Sequence, residues 1–178
     1  ALILGGVTIY KKHLSPITVP IYAVIQGIFL GAISYTFNSL YDGIVITAIS
    51  YTLSILFVML TLYRTGIIKP TENFKLGVAA GTGGIALIYL ANFVMSFFGT
   101  GLSIMDINNA SMYSIGFSLL VIVIASLNLV VDFDFIEEGS EKRAPKYMEW
   151  YGAFGLLVTL IWLYLEILRL LAKMNSRK

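Results

Sequence analysis

The chain has 178 residues, of which 58% are hydrophobic and 12% are charged, and its formal net charge is +2. A soluble domain carries about 25% charged residues, so this composition excludes one and indicates an integral membrane protein. The sequence contains no cysteine and a single histidine, His13. It therefore offers no disulfide, thiolate metal site or HExxH zinc motif, and we expect neither enzymatic activity nor a cofactor.

Five apolar segments are each long enough to form a membrane-spanning helix. About 20 residues cross a hydrocarbon core of about 30 Å, and a helix satisfies its own backbone hydrogen bonds there. The predicted spans are residues 17–37, 43–63, 76–98, 112–131 and 150–171. Residues 1–10 are also apolar but reach only half this length, and we expect them to be the end of a helix that begins before the sequence.

Basic residues alternate between the connections and predict the orientation. Lysine or arginine occurs in the first, third and fifth connections, whereas the second (38–42) and fourth (99–110) contain none. Because basic residues near helix ends stay in the cytoplasm, the odd-numbered connections are predicted to be cytoplasmic. A basic C-terminal cluster opposes this pattern, so the last helix either spans against the bias or re-enters: Arg169, Lys173, Arg177 and Lys178. We expect it to span, which places the C-terminus outside.

Small residues four positions apart predict where helices touch. Close backbone approach drives association of helices in lipid, and glycine permits it. Gly27 and Gly31 have this spacing, as do Gly77 and Gly81, and Gly84 follows Ala80. All five glycines are therefore predicted to lie in helix contacts.

The stretch "LVVDFDFIEE" places Asp132 and Asp134 directly after the fourth span. Asn128, four residues before Asp132, lies on the same helix face and is predicted to hydrogen-bond its carboxylate. One interpretation is a solvated helix terminus that continues into an acidic loop over residues 137–149. However, negative charge at a helix C-terminus opposes the helix dipole, which favours a functional role for the two acids.

The last span contains Glu166 and Arg169, three residues apart on one helix face. Charge inside a bilayer is costly and needs a partner or a purpose. The two residues either compensate each other, with Arg169 reaching outward, or Glu166 faces the interior and meets Asp132 or Asp134. Two carboxylates in contact share a proton, so the second arrangement predicts a pH switch.

The stretches "LVVDFDFIEEG" and "APKYMEWYGAFGLLVTLIWLYLEILRLL" resemble the Bax inhibitor-1/YccA superfamily, and within it the bacterial YccA-like proteins. The resemblance implies an all-α membrane bundle of seven helices with the last helix central. The chain would then lack the first helix and part of the second. It also implies the bacterial inner membrane as the location.

Members of this family carry an acid at the end of the sixth helix and another in the last, and "LVVD" and "LYLE" offer Asp132 and Glu166. The resemblance implies a carboxyl pH sensor, including Asp134, that gates a calcium-permeable pore, with a weak cation contact at Asp132 and Glu166. The last acid is glutamate where the family has aspartate, and Asp134 is additional.

A second function of another class is an interaction partner, substrate or modulator of the membrane AAA protease FtsH and its HflK/HflC scaffold. The loop lysines face anionic lipid, so the basic balance does not indicate binding of nucleic acid.

Overall fold

The computed structural model describes residues 2–109 and 111–176. Over these ranges the chain is helical and has no strand, which confirms the predicted all-α class. The six helices are α1 (Leu2–Tyr10), α2 (Ser15–Leu40), α3 (Ile44–Arg64), α4 (Glu72–Phe97), α5 (Met112–Glu141) and α6 (Tyr147–Asn175). Five of them, α2 to α6, are long and apolar enough to cross a membrane.

The last helix is central, as the resemblance implied. α6 contacts α2, α3 and α5, whereas α4 packs chiefly against α5. The largest fully buried apolar side chains come from α5 and α6, with Leu129, Leu163 and Leu168 among them. About 11% of the spans of α2 and α4 is buried within the protein, against 33% for α5 and α6. The outer faces of α2 and α4, and that of α3 with 17% of its span buried, are therefore left for lipid.

Local chemistry defines several helix ends. The Thr71 and Ser111 side chains accept hydrogen bonds from backbone N–H groups in the first turns of α4 and α5, each at 3.3 Å. These bonds satisfy donors that a helix start leaves unpaired. Gly99, with a φ of 74°, follows α4 in the left-handed conformation that glycine adopts at low cost.

α5 is longer than its predicted span. The helix continues to Glu141 and α6 begins at Tyr147, so the interpretation of residues 137–149 as a loop is wrong for 137–141 and for 147–149. An ion pair between Glu138 and Lys142, four residues apart, supports the last turn. Asp132 lies nine residues before the end of α5, so the helix-dipole argument for a functional acid at that terminus does not apply to it.

α6 runs antiparallel to α5 over its whole length. Gly152 lies beside Ile136 near the end of α5, and Lys173 contacts Ser114 and Ser118 near its start. The helix is uninterrupted, so it passes from one end of the bundle to the other without re-entering. Arg177 and Lys178 of the predicted basic cluster lie outside the described residues, as do Ala1 of the predicted partial helix and Ala110 of the fourth connection.

Only one of the five predicted packing glycines lies in a helix contact among the described residues. A Cβ added at Gly81 would lie 2.9 Å from Ile124 Cδ1 of α5. The other four are exposed, with nothing within 4 Å of a Cβ: Gly27, Gly31, Gly77 and Gly84. The prediction is wrong for these four because larger side chains make the contacts, such as Val78 and Ile85 on α4.

Candidate functional site

Three polar side chains form a row along the central helix. Thr159, Glu166 and Lys173 follow one another at seven-residue intervals on α6, with 8%, 1% and 0% of their surfaces exposed. Seven residues are nearly two turns, so the three lie on one side of the helix, about 10 Å apart along its axis. An otherwise apolar helix thus has polar groups at three depths in the bundle.

The middle level is a cluster of Glu166, Arg169 and Tyr89. Glu166 Oε2 accepts hydrogen bonds from Arg169 Nη1 at 2.6 Å and from the Tyr89 hydroxyl at 2.7 Å. Arg169 Nη1 also donates to the Tyr89 oxygen at 3.1 Å, and the guanidinium carbon lies 5.5 Å from the centre of the tyrosine ring. The cluster therefore joins α4 to α6, and Glu166 Oε1 is buried without a hydrogen-bond partner within the described ranges.

Among the described residues, Glu166 does not make the expected contact with Asp132 or Asp134. Asp132 lies against Gly155, where a Cβ would be 3.3 Å from its Oδ1 atom. Gly155 precedes Glu166 by eleven residues, or about 16 Å along the helix axis. The structure brings Glu166 together with Arg169 instead, so the arrangement is the self-compensating ion pair and not the carboxyl pair.

Asp134 also has a basic partner. Its Oδ2 atom lies 2.6 Å from Lys75 Nζ of α4, and the same ammonium is 3.6 Å from Glu72. This ion pair is a second polar tie between α4 and its neighbours. Asp134 and Asp132, although two residues apart, therefore face different surroundings.

Asn128 does not support Asp132. Its Nδ2 atom donates to Thr82 Oγ1 at 2.7 Å and to the Ile124 carbonyl at 3.0 Å. The predicted hydrogen bond to the carboxylate is wrong because the amide turns toward α4. Asn128 thus belongs to the α4–α5 contact.

Asp132 lies in a pocket with Thr159, the outermost member of the row on α6. Its Oδ2 atom is buried and has no hydrogen-bond partner among residues 2–109 and 111–176. Across the same residues, no group of three histidine or acidic side chains is placed to hold a metal ion. The predicted cation contact at Asp132 and Glu166 is therefore not assembled, because the two acids occupy different levels.

Lys173 is one of three site residues that sequence reasoning missed, together with Tyr89 and Thr159. Its ammonium donates to the Ile104 carbonyl at 3.0 Å, the Ser114 carbonyl at 3.3 Å and Ser118 Oγ at 3.0 Å. By its place in the sequence it belongs to the basic C-terminal cluster with Arg169. Its position seven residues after Glu166 and four after Arg169 puts all three on one helix face, a signal that was available.

The family model described as Bax inhibitor 1 like matches residues 1–176 of the chain. No curated protein and no solved structure matches it. The matched range includes the central helix, the three levels of polar residues and both acids of "LVVDFD". On this match, the chain belongs to the Bax inhibitor 1-like family.

Proposed function

We propose that this protein is a pH-responsive cation leak, with calcium among its ions, in the cytoplasmic membrane of a bacterium. Membership of the Bax inhibitor 1-like family and the row of buried polar side chains on α6 support this function. Polar and ionisable side chains are rare in membrane spans. Those that occur usually face the bundle interior and not the lipid, and they often mark ion paths. The row at Thr159, Glu166 and Lys173 is the path we assign.

The single observation that carries the proposal is the Glu166 carboxylate, held by donors from two helices. An ionised carboxylate at this depth is stable only while paired, since an unpaired buried charge costs about 3–5 kcal/mol. Arg169 and Tyr89 supply the pairing, with Lys173 on the same helix face. The charged form of Glu166 therefore favours the closed contact between α4 and α6.

Protonation reverses this preference. A neutral Glu166 attracts Arg169 and the Tyr89 hydroxyl more weakly, so acidification loosens the link between α4 and α6. The Lys75–Asp134 ion pair and the bond from Asn128 to Thr82 still hold the other half of α4. We infer that α4 moves about this fixed half and that the leak increases as pH falls. In this mechanism an ion pair takes the place of the carboxyl pair expected from the sequence.

The test is calcium entry into dye-loaded vesicles that contain the purified protein. Glu166→Gln keeps the side-chain shape but removes the charge. We expect it to raise the leak at neutral pH to the level that the wild-type protein shows in acid, and to flatten the pH response. Tyr89→Phe, which removes one of the two donors, should give an intermediate leak.

The matched control is Glu138→Gln, which removes a carboxylate whose partner, Lys142, lies at the surface. We expect it to leave the leak and its pH response unchanged. A Glu166→Gln protein that behaves like the wild type would contradict the gate. If the wild-type protein gave no flux at any pH while FtsH and HflK/HflC co-purified with it, the result would favour the interaction partner over the leak.

A further inference from the structure

A partly open pocket of about 450 Å³ lies between α1, α5 and α6. Its walls are largely apolar and aromatic, with Ile9 from α1, Phe135 from α5, and Tyr151 and Phe154 from α6. Asp132 lies among them. Pockets of about 300–1,000 Å³ with apolar walls and few polar groups are typical of small-molecule sites.

The aromatic rings lie close enough to form one surface. The ring centres of Phe135 and Tyr151 are 5.8 Å apart, and those of Tyr151 and Phe154 are 6.4 Å apart. Lys12 Nζ lies 4.9 Å from the centre of the Tyr151 ring, so this ring already attracts a cation. Faces of aromatic rings bind ammonium groups through their quadrupole.

Asp132 differs from the two other acids near the bundle core. Asp134 and Glu166 each pair with a lysine or arginine, whereas Asp132 has no basic partner within the part of the chain that the structure describes. Its Oδ2 atom is buried and lacks a hydrogen bond there. Gly155 leaves space beside Oδ1, because any larger residue would place a Cβ 3.3 Å from that atom, and the hydrogen bond to Asp132 from this side of the pocket comes from the neutral hydroxyl of Thr159. A carboxyl in this setting lacks a cationic donor.

We propose that the pocket binds an organic ammonium group attached to an apolar body. The ammonium donates hydrogen bonds to Asp132, and the body lies against Phe135, Tyr151 and Phe154. Asp132 directly follows the apolar stretch 112–131, which places the pocket at the edge of the hydrocarbon core. Both a free amphiphilic amine and the headgroup of phosphatidylethanolamine present this chemistry at that depth.

The probe is monodansylcadaverine, a fluorescent primary amine with an apolar aromatic body, and the protein is held in nanodiscs of phosphatidylglycerol, which has no ammonium. We expect saturable binding. Asp132→Asn should weaken it by at least about tenfold, because the charge-assisted hydrogen bond from the ammonium to the carboxylate is lost. Gly155→Ala, which places a methyl group against Asp132, should weaken it as well.

Asp134→Asn is the matched control, since it removes the same charge two residues away from an acid already paired with Lys75. It should bind the probe as the wild type does, and the N-acetylated, uncharged probe should show no saturable binding. Binding that is absent in the wild type, or equal in Asp132→Asn and the wild type, would overturn the proposal.

Changing the lipid of the discs distinguishes the two possible sources of the ammonium. Weaker probe binding in discs of phosphatidylethanolamine identifies the lipid headgroup as the competing occupant, and equal binding identifies a free amine. The measurement involves no ion flux, so its outcome is independent of the leak proposed above.

Discussion

Lys173 is a fully buried cation with three neutral hydrogen-bond acceptors. Its ammonium donates to two carbonyls and to Ser118 Oγ, and no carboxylate lies within ion-pair distance among the described residues. Neutral acceptors compensate only part of the cost of removing a charge from water. Both carbonyls keep other partners, because the Ser114 hydroxyl donates to Ile104 at 2.8 Å and the Ser114 carbonyl accepts within α5.

We therefore expect Lys173→Met to leave the thermal unfolding midpoint in detergent unchanged or higher. The substitution removes a desolvated charge, and the freed Ser118 hydroxyl can donate to the Ser114 carbonyl one turn earlier. The Ser103–Met105 turn loses a tie to α6, so its amides should exchange faster with deuterium. Lys142→Met at the surface is the control for loss of a lysine, and a midpoint lowered only by Lys173→Met would contradict this account.

At the scale of residues, local partners were predictable and distant ones were not. Glu166 and Arg169 are three positions apart on one helix, so their pairing follows from helix geometry and can be predicted from the sequence. Asn128 reaches Thr82, 46 positions away, and Lys173 reaches Ile104, 69 positions away. Those contacts depend on how α4 and the 98–111 connection lie against the bundle, and the hydrophobic pattern does not encode that.

At the scale of elements, α4 is held by few contacts, and Gly81 lies at a tightly packed one. The chain approaches α5 at Gly81, where a Cβ would lie 2.9 Å from Ile124 Cδ1. Gly77, one turn earlier on the same helix, has open space around it. Substitutions at these two positions therefore distinguish the effect of packing on stability from the effect of helix propensity.

Gly81→Leu should lower the free energy of unfolding by about 1–3 kcal/mol, the usual cost of overpacking. Gly77→Leu, which makes the same chemical change in open space, should be neutral or stabilising because leucine favours a helix more than glycine does. Thermal unfolding of both proteins in the same detergent gives the comparison. An equal change in stability at the two positions would contradict this account, because it would mean that Ile124 makes room for the leucine at position 81.

The five long apolar helices were predictable because runs of apolar residues are what lipid requires of a helix. The ends were less so. The polar segment after Asp132 continues α5 for nine residues, since i, i+4 pairing and exposed side chains keep a helix stable in water. The four exposed glycines show the same limit: spacing indicates a smooth face but not which helix covers it.

At the scale of the whole molecule, the connections separate into two ends. The basic connections between α3 and α4 and between α5 and α6 lie at the end where α5 finishes. The connection between α4 and α5 lies at the other end, beside Lys173. By the distribution of basic residues, we expect the first end to face the cytoplasm.

The sequence has no cysteine, so single cysteines report the orientation without background. Ser140→Cys and Thr100→Cys introduce exposed thiols at opposite ends. A membrane-impermeant maleimide should label the first only in inverted vesicles and the second only in right-side-out vesicles. Labelling of both from the same side would contradict the predicted orientation.

The length of α5 has a mechanical consequence. Its 30 residues extend about 45 Å, or about 15 Å more than the hydrocarbon core, and the surplus carries Glu137, Glu138 and Glu141 into water. No hinge separates this charged tip from Leu129 and Val130 in the core. Because α5 is one continuous helix, a rotation of its charged tip on binding of a partner would also rotate the part of α5 in the interior of the bundle.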